Sequence, residues 1–347
     1  MRDRRSQPAI YGFRGADASC FDRFRQDYPE TRIVRLARNY RSTGTIVTAS
    51  SQVIAPRPNE PVAEIVRDMH ERIAIHTAPT ERAEAESVVK TIEHMIGGHS
   101  FFSIDSGRAA VGPQASRSFA DFAVLYRTDS QSASLREAFD RSGIPYQRHS
   151  HTALAEEPAV RTLLQELGDG SDAATLADDL RAAGNRLVER GNVGASATIA
   201  MALQRLIALA ERLGNDRAHF ADAAALTTES EFWDARADRV SLLTLHAAKG
   251  LEFAVVFIVG LEDGLLPLHW GEPDDAAMAE ERRLFYVGMT RAKDRLILSR
   301  ARQRYWRGRT HMLEPSPFLR DIENELVKHQ PVQGGRGKRE DRQLKLF

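Results

Sequence analysis

The sequence predicts an α/β protein in which a parallel sheet is interrupted by a mostly helical insertion and followed by a flexible tail. Three observations carry this. Buried-strand runs appear early, at IAIHTAP and DFAVLYR, and return late, at RVSLLTLH, FAVVFIVG and RLILSRA. Helical patterns separate these runs, which is the alternation of a parallel sheet with crossover helices. Between about residues 152 and 230 the chain turns Ala/Leu-rich and holds no β-branched strand run.

In chain order, residues 1–45 open polar and then give YGFRGAD, an amphipathic stretch and the strand-like RIVRL, Arg32 to Leu36. ERIAIHTAP, Glu71 to Pro79, alternates like a strand, and Arg82–Ile96 places apolar residues at helical spacing. Residues 97–118 are Gly/Ser-rich and read as a long loop or an insertion. Asp121–Arg127 reads as a strand, and Ser132–Gly143 as a helix ended by a glycine. Ala276–Thr290 reads as a helix between the last two strand runs. The expected organisation is therefore a first part of the sheet domain at 1–150, the insertion at 151–235, a second part at 236–327 and a basic tail at 328–347.

Composition narrows the function. The chain has 347 residues, of which 42% are hydrophobic, enough to bury a core. Lys+Arg and Asp+Glu both number 48, which argues against bulk-charge binding of nucleic acid but leaves room for a local basic groove. Cys20 is the only cysteine, so a disulfide framework and a cysteine-based zinc site are excluded. No apolar run approaches the roughly 18 residues of a membrane span. A soluble, cytoplasmic protein with no membrane partner is the expectation.

Four short segments carry chemistry. Ile10-Tyr11-Gly12-Phe13-Arg14-Gly15-Ala16 sets aromatics beside an arginine, a combination that can stack bases and hold phosphate; taken alone, a surface turn with core aromatics is the simpler reading. Asn39-Tyr40-Arg41-Ser42 suits stacking on a purine with a guanidinium reaching phosphates, or else a helix start with solvated cations. TLHAAKGLEF follows the strand Val240–Leu243 and carries Thr244, His246, Lys249, Gly250 and Glu252 into a loop at that strand's C-terminal end, where α/β sheets bind ligands. Its Lys249-Gly250 order is the reverse of a phosphate loop, and G-x-x-x-x-G-K-[ST] occurs nowhere in the 347 residues. The fourth segment, EERRLFYVGMTRAK, ends a helix with Arg291, positioned either as an arginine finger or as a complement to the helix dipole.

Taken in this order, YGFRGA, NYRS, TLHAAKGLEF and EERRLFYVGMTRAK resemble motifs III to VI of the UvrD/Rep-like superfamily 1 DNA helicases. Ala123–Gln147 also resembles the family's segment between motifs IV and V, so the likeness covers roughly 9–150 and 235–325. It implies the second of two RecA-like lobes, with ATP and Mg²⁺ held mainly by a first lobe that carries the phosphate loop and the acidic motif. It implies that Tyr40 stacks on adenine and that Arg41 and Arg291 reach the γ-phosphate. Glu252 and Gly250 then belong near the ribose and phosphates. Tyr11, Phe13, Arg14, Thr244 and His246 then belong to the single-stranded DNA side.

Two departures stand out. The family's Gly-Asp-x-x-Gln before Ile-Tyr is replaced by Arg4-Arg5-Ser6-Gln7-Pro8, and the likeness starts abruptly at Ala9, inside motif III. The expected function is the C-terminal motor half of an ATP-dependent 3′-to-5′ DNA helicase in repair or replication, inactive without a first lobe. The competing reading is a non-catalytic DNA-binding or scaffold remnant. A fused nuclease is not expected, because no Asp/Glu/Lys cluster on a strand follows Val327. Finally, Gln343-Leu344-Lys345-Leu346-Phe347 resembles the Gln-Leu-x-Leu-Phe peptide that binds the bacterial sliding clamp. Gln343, Leu344, Leu346 and Phe347 are its contact residues, unless the segment packs on its own domain.

Overall fold

The structure is a computed structural model that describes residues 20–32, 38–54, 64–67, 71–97, 117–149, 153–167, 175–190, 196–214, 216–269, 271, 274–306 and 308–332. RIVRL, most of the Gly/Ser-rich stretch at 97–118 and the YGFRGA motif lie outside the described residues.

The described strands are β1 (Arg38–Thr43), β2 (Glu64–Arg67), β3 (Ile73–Thr80), β4 (Phe122–Tyr126), β5 (Tyr146–His149), β6 (Val240–Thr244), β7 (Phe253–Ile258), β8 (Ala292–Trp306), β9 (Arg309–Met312) and β10 (Val327–Pro331). The main sheet has the order β10-β3-β8-β7-β4-β6-β5, and every neighbouring pair in it is parallel. β9 adds to β8 antiparallel, and β1 and β2 form a separate parallel pair.

The central strands are apolar along their whole length because both faces are covered. All five residues of β4 are buried. Along β7, Val256 and Ile258 join one core while Val255 and Phe257 join the other, following the two-residue side-chain period. The first described helix, α1, spans Cys20–Asp27. The first core lies under α2 (Gly44–Ile54) and α9 (Asp275–Met289), through Ile46, Ala49, Leu284 and Phe285. The second lies under α3 (Glu81–Ile96) and α4 (Ser132–Ser142), through Val88, Ile92, Leu135 and Phe139. Local chemistry sets the helix ends. The Thr80 hydroxyl accepts from Ala83 N at 3.2 Å to cap α3, and Asp274 accepts from Ala277 N at 2.6 Å to cap α9. Gly143 ends α4 with φ +73°, a left-handed conformation that costs glycine little.

The insertion consists of α5 (Pro158–Glu166), α6 (Leu176–Arg190), α7 (Ser196–Arg212) and α8 (Arg217–Leu226). These helices share a third core built on Leu154, Leu163, Leu180, Leu206 and Phe220. The chain enters and leaves the insertion at one place. Gln147 Nε2 donates to Asp234 O at 2.9 Å, and Asp234 N donates back to Gln147 Oε1 at 3.1 Å.

The expectation of a tail from residue 328 is corrected for its first residues. Residues 327–331 form edge strand β10, in register with Ile73–Thr77 of β3. Val327 anchors it, 5% exposed, while Lys328 and His329 face solvent. Such a strand at a sheet edge has one apolar anchor and no alternating run, so its polar sequence reads as a tail.

A buried charge network stitches α3, β8 and the loop after β7 together. Arg304 donates from Nη2 to Glu84 Oε2 at 2.6 Å and to Glu262 Oε1 at 2.9 Å, and from Nε to Glu262 Oε2 at 2.8 Å. Gly260 N and Ser299 Oγ donate to Glu84, and Ala301 N donates to Glu262. Each of these partners gives the two carboxylates a donor, which is how such a network tolerates burial.

Candidate nucleotide-facing site

The NYRS segment lies within strand β1, and the helix that follows starts only at Gly44. The segment's four residues divide by role. Asn39 Oδ1 accepts from the backbone N–H of both Arg41 and Ser42 at 3.0 Å, folding the chain over its own side chain. Ser42 Oγ donates to Ala292 O at 2.6 Å and ties β1 to the first residue of β8. With Asn39 and Ser42 fixed, Tyr40 and Arg41 face outward, and Tyr40 is 63% exposed.

Arg41 pairs with Glu252 Oε1, and Lys293 Nζ lies 3.8 Å from Glu252 Oε2. Arg291 follows the end of α9. Its guanidinium donates to Val287 O at 2.9 Å, Leu251 O at 3.2 Å and Thr290 Oγ1 at 3.1 Å. Burial lowers the Arg291 pKa from its ordinary value, the nearby charge of Arg41 lowers it further, and Glu252 opposes both. An arginine stays protonated even so. What the shift describes is a cation held in partly desolvated surroundings beside a like charge, which an incoming anion would relieve. Gly250 sits two residues before Glu252 with φ +92° and open space where a Cβ would be. The structure thus brings Arg41, Glu252 and Arg291 together, with Tyr40 alongside in β1.

Thr244 and His246 lie elsewhere. Tyr126 pairs with Thr244 in register, and Phe122 pairs with Val255. Counting back along β7 puts Glu252 roughly 20 Å from Thr244 along the strand direction, at about 3.3 Å per residue. The expectation that one strand end carries both is therefore corrected: Thr244 is at the C-terminal edge of the sheet, and Glu252, at the start of β7, is at the N-terminal edge. The reason is topological. β6 and β7 are both parallel to β4, so the connection between them must travel the length of the sheet.

Residues 245–252 do so as a series of turns. Leu245 N donates to Tyr126 O at 2.8 Å, Ala247 N to Thr244 Oγ1 at 3.2 Å, and Leu251 N to Ala248 O at 3.1 Å. Leu245 and Ala248 are fully buried in the first core. At the far end Phe253 N donates to Arg291 O at 3.0 Å. Gly288 in α9 makes the close approach possible, because a Cβ there would lie 2.4 Å from Leu245 Cδ2 and 3.2 Å from Ile258 Cδ1.

Tyr11, Phe13 and Arg14 lie outside the described residues, as do Gln343, Leu344, Leu346 and Phe347. Sequence reading passed over Lys293 and the bridge beside it. Arg67 Nη1 donates to Arg41 O at 2.9 Å, its Nη2 lies 3.0 Å from Asp294 Oδ1, and Arg117 also reaches Asp294. It also passed over Glu281, which takes a forked contact from Arg127, with Nη2 at 2.7 Å, and accepts from Leu268 N at 2.9 Å. A charged residue inside a helix or strand gives no sequence signal of its partner. Among the described residues no group of three or more His, Cys, Asp or Glu side chains is placed to hold a metal ion. No helix there is long and apolar enough to cross a membrane.

The model of the UvrD-like helicase C-terminal domain matches residues 34–168 and 198–303. The chain belongs to that family. Both matched blocks fall on the sheet domain and the outer parts of the insertion, and they include NYRS, TLHAAKGLEF and EERRLFYVGMTRAK. Among curated relatives, the ATP-dependent DNA helicase UvrD1 of Mycobacterium tuberculosis is 28% identical, the alignment covering 92% of this chain and 52% of that protein. The ATP-dependent DNA helicase PcrA of Bacillus subtilis is 27% identical, covering 93% and 54%, and PcrA of Leuconostoc citreum is 27% identical, covering 92% and 53%. This UvrD-like chain therefore spans about half the length of the curated relatives it matches. Among solved structures, the C-terminal domain of a possible DNA helicase from Lactobacillus plantarum WCFS1 aligns with 84% of this chain at a TM-score of 0.37 and 15% identity.

Proposed function

We propose that this UvrD-like chain is the second motor lobe of an ATP-dependent 3′-to-5′ DNA translocase that works in DNA repair or replication in the cytoplasm. The observation that carries the reading is the pairing of two sheet edges through one short connection. A cation cluster of Arg41 and Arg291 stands at one edge, Thr244 and His246 stand at the other, and residues 245–252 join them through buried anchors.

Arg41 and Arg291 bind and orient a triphosphate and stabilise the charge that develops on the transferred group. Tyr40 offers an exposed ring for a base. Bound ATP with Mg²⁺ supplies the phosphoryl group, and the phosphate loop that holds both must come from residues outside these 347, on this polypeptide or another. Glu252 is the group through which the phosphate edge meets the connection, so a change in its partners is passed toward Thr244 and His246. Those two residues face single-stranded DNA in this reading, with Tyr11, Phe13 and Arg14 completing the grip. A non-catalytic DNA-binding remnant would have no physical need for Arg291 held partly desolvated beside Arg41.

The test is reconstitution. The purified chain alone is expected to show no DNA-stimulated ATPase, and mixing it with a first lobe from a related helicase to restore turnover. Arg291→Ala should then cut the restored rate by about 10³-fold, the scale of other arginine fingers. Robust ATPase from the lone chain, or restored turnover indifferent to Arg291→Ala, rejects the reading.

We also propose that Gln343-Leu344-Lys345-Leu346-Phe347 tethers the protein to a sliding clamp. Leu344, Leu346 and Phe347 would fill an apolar pocket, and Gln343 would supply directional hydrogen bonds. A peptide carrying residues 338–347 is expected to bind a bacterial clamp with micromolar affinity, about −8 kcal/mol. The double substitution Leu346→Ala with Phe347→Ala should abolish binding. No binding of the parent peptide at high micromolar concentration removes the proposal.

A further inference from the structure

We propose that Lys293 is a third phosphate-binding cation of this site and that Glu252 is its built-in counter-ion, occupying Arg41 and Lys293 until a polyphosphate displaces it. The proposal rests on the nucleotide-facing reading of the Arg41–Arg291 edge.

The first support is charge. Arg41 takes one oxygen of the Glu252 carboxylate and Lys293 lies near the other, with Arg291 close enough to feel both Arg41 and Glu252. Three cations therefore share one carboxylate, and the cluster carries an excess of two positive charges. One carboxylate cannot neutralise three cations, and a chain of phosphates can.

The second support is how loosely Lys293 is held. At 3.8 Å its ammonium is beyond hydrogen-bonding distance of Glu252 and is retained by charge alone. Its side chain is 42% exposed, so the contact is a weak surface pair and exchanges at little cost. The neighbouring acid does not compete for it, because Asp294 is already engaged by Arg67 at 3.0 Å and Arg117 at 3.3 Å.

The third support is position. Lys293 is the second residue of β8, and Ser42 Oγ binds the carbonyl of the first, Ala292, at 2.6 Å. That bond fixes the strand bearing Lys293 against the strand bearing Arg41. The two cations reach the same carboxylate from strands of two different sheets that this bond holds together, so an anion seated between them would meet both without rearrangement of either backbone. The same geometry gives Glu252 its role. In the absence of phosphate it keeps the cations facing the site and limits their mutual repulsion. When phosphate arrives the carboxylate is repelled, and it sits at the end of the connection that leads to Thr244 and His246.

The probe is inorganic tripolyphosphate, titrated calorimetrically into the full 347-residue chain without DNA or a first lobe. The parent chain is expected to bind, more weakly as salt rises. Lys293→Gln should weaken binding about tenfold, Lys293→Arg should keep it within about twofold, and Glu252→Gln should tighten it, since an internal competitor is gone. Arg181→Gln, an exposed arginine on α6 of the insertion, should leave it unchanged. Equal affinity in the parent and Lys293→Gln, a weaker affinity in Glu252→Gln, or no binding by the parent at millimolar probe overturns the proposal. If Lys293→Gln fails to fold, the Glu252→Gln arm decides alone. Reconstituted ATPase is read separately. Polyphosphate binding with the expected Lys293 and Glu252 effects but no restorable ATPase sinks the motor reading and leaves the site standing. Restored ATPase with no Lys293 effect on binding sinks this inference alone.

Discussion

His76 shows how one buried side chain sets a pH response. Its ring is 9% exposed and is bracketed by Gln330 Oε1, 3.0 Å from Nε2, and Ser87 Oγ, 3.4 Å from Nδ1. Because the amide oxygen only accepts, Nε2 carries the proton and donates to it. Nδ1 is then the acceptor for the Ser87 hydroxyl, so the ring fits as a neutral imidazole. It stands at the wall of a cavity of about 570 Å³ whose rim bears Arg72, Lys90, His94 and Arg295 as well as Glu71, Glu86 and Asp294. Burial lowers the His76 pKa, and the Gln330 contact only partly opposes this. The sign follows. Below about 6.5, the ordinary histidine value, the unfolded chain takes up a proton that folded His76 resists, so stability falls as pH falls through that point and levels off below the folded value. Urea midpoints measured from pH 7.5 to 5 should show this decline, and His76→Gln should flatten it. An unchanged slope in that variant would assign the acid sensitivity to other groups. At the same scale, the arginines of the site were legible because each stands in a dense motif. Lys293 was not, because a lysine just after a helix end reads as a partner of the helix dipole, and only the fold brings Glu252 to it.

Elements were legible where both faces of a strand are buried. FAVLY, VSLLT and FAVVFI announce themselves as β4, β6 and β7 because a covered parallel strand has no polar face to dilute the signal. The helices α3, α4 and α9 were legible from their spacing and, for α4, from its terminal glycine. The elements that escaped are those at edges and joints. β5, with the sequence YQRH, and β10, VKHQP, are short and polar because one side of each lies at the rim of the sheet. β9 exists only as the antiparallel return of the long β8, whose end extends past its pairing with β3. β1 is invisible as a strand because its sequence, RNYRST, serves the site, and its Asn39 and Ser42 spend their hydrogen bonds on placing Tyr40 and Arg41. The crossing of residues 245–252 from one sheet edge to the other could not be read at all. It depends on the strand order, with β6 and β7 flanking β4 on opposite sides, and no local pattern states that order. What the sequence does show of this joint is Gly288, and its reason is packing, since any side chain there would collide with Leu245.

At the scale of the whole chain, the insertion and the sheet domain have separate cores, and we propose that they are separable. Among the described residues, Leu154, Leu180, Leu206 and Phe220 form a core of their own that shares no member with the two cores of the sheet, while the site residues Arg41, Glu252, Arg291 and Lys293 all come from the sheet domain or β1. The two ends of the insertion already meet. Gln147 and Asp234 exchange two hydrogen bonds, and the rings of His149 and Trp233 are 5.9 Å apart between centroids. A short Gly/Ser linker can therefore replace residues 150–232 without stretching the chain, and shortening a loop costs little in closure entropy. What would be lost is local. Met201 of α7 packs on the second core, and Arg136 reaches Glu157 at 3.5 Å. Uncovering the Met201 contact and giving up one part-exposed ion pair should destabilise the sheet domain by roughly 2–3 kcal/mol, with most of that from the apolar contact. The shortened chain is expected to melt in a single cooperative transition and to keep the tripolyphosphate affinity of the parent, since the phosphate edge is untouched. Circular dichroism melts and the same calorimetric titration check this. A chain that no longer unfolds cooperatively, or that folds but loses polyphosphate binding, would mean that the helices support the site through the sheet and that the two cores act as one unit.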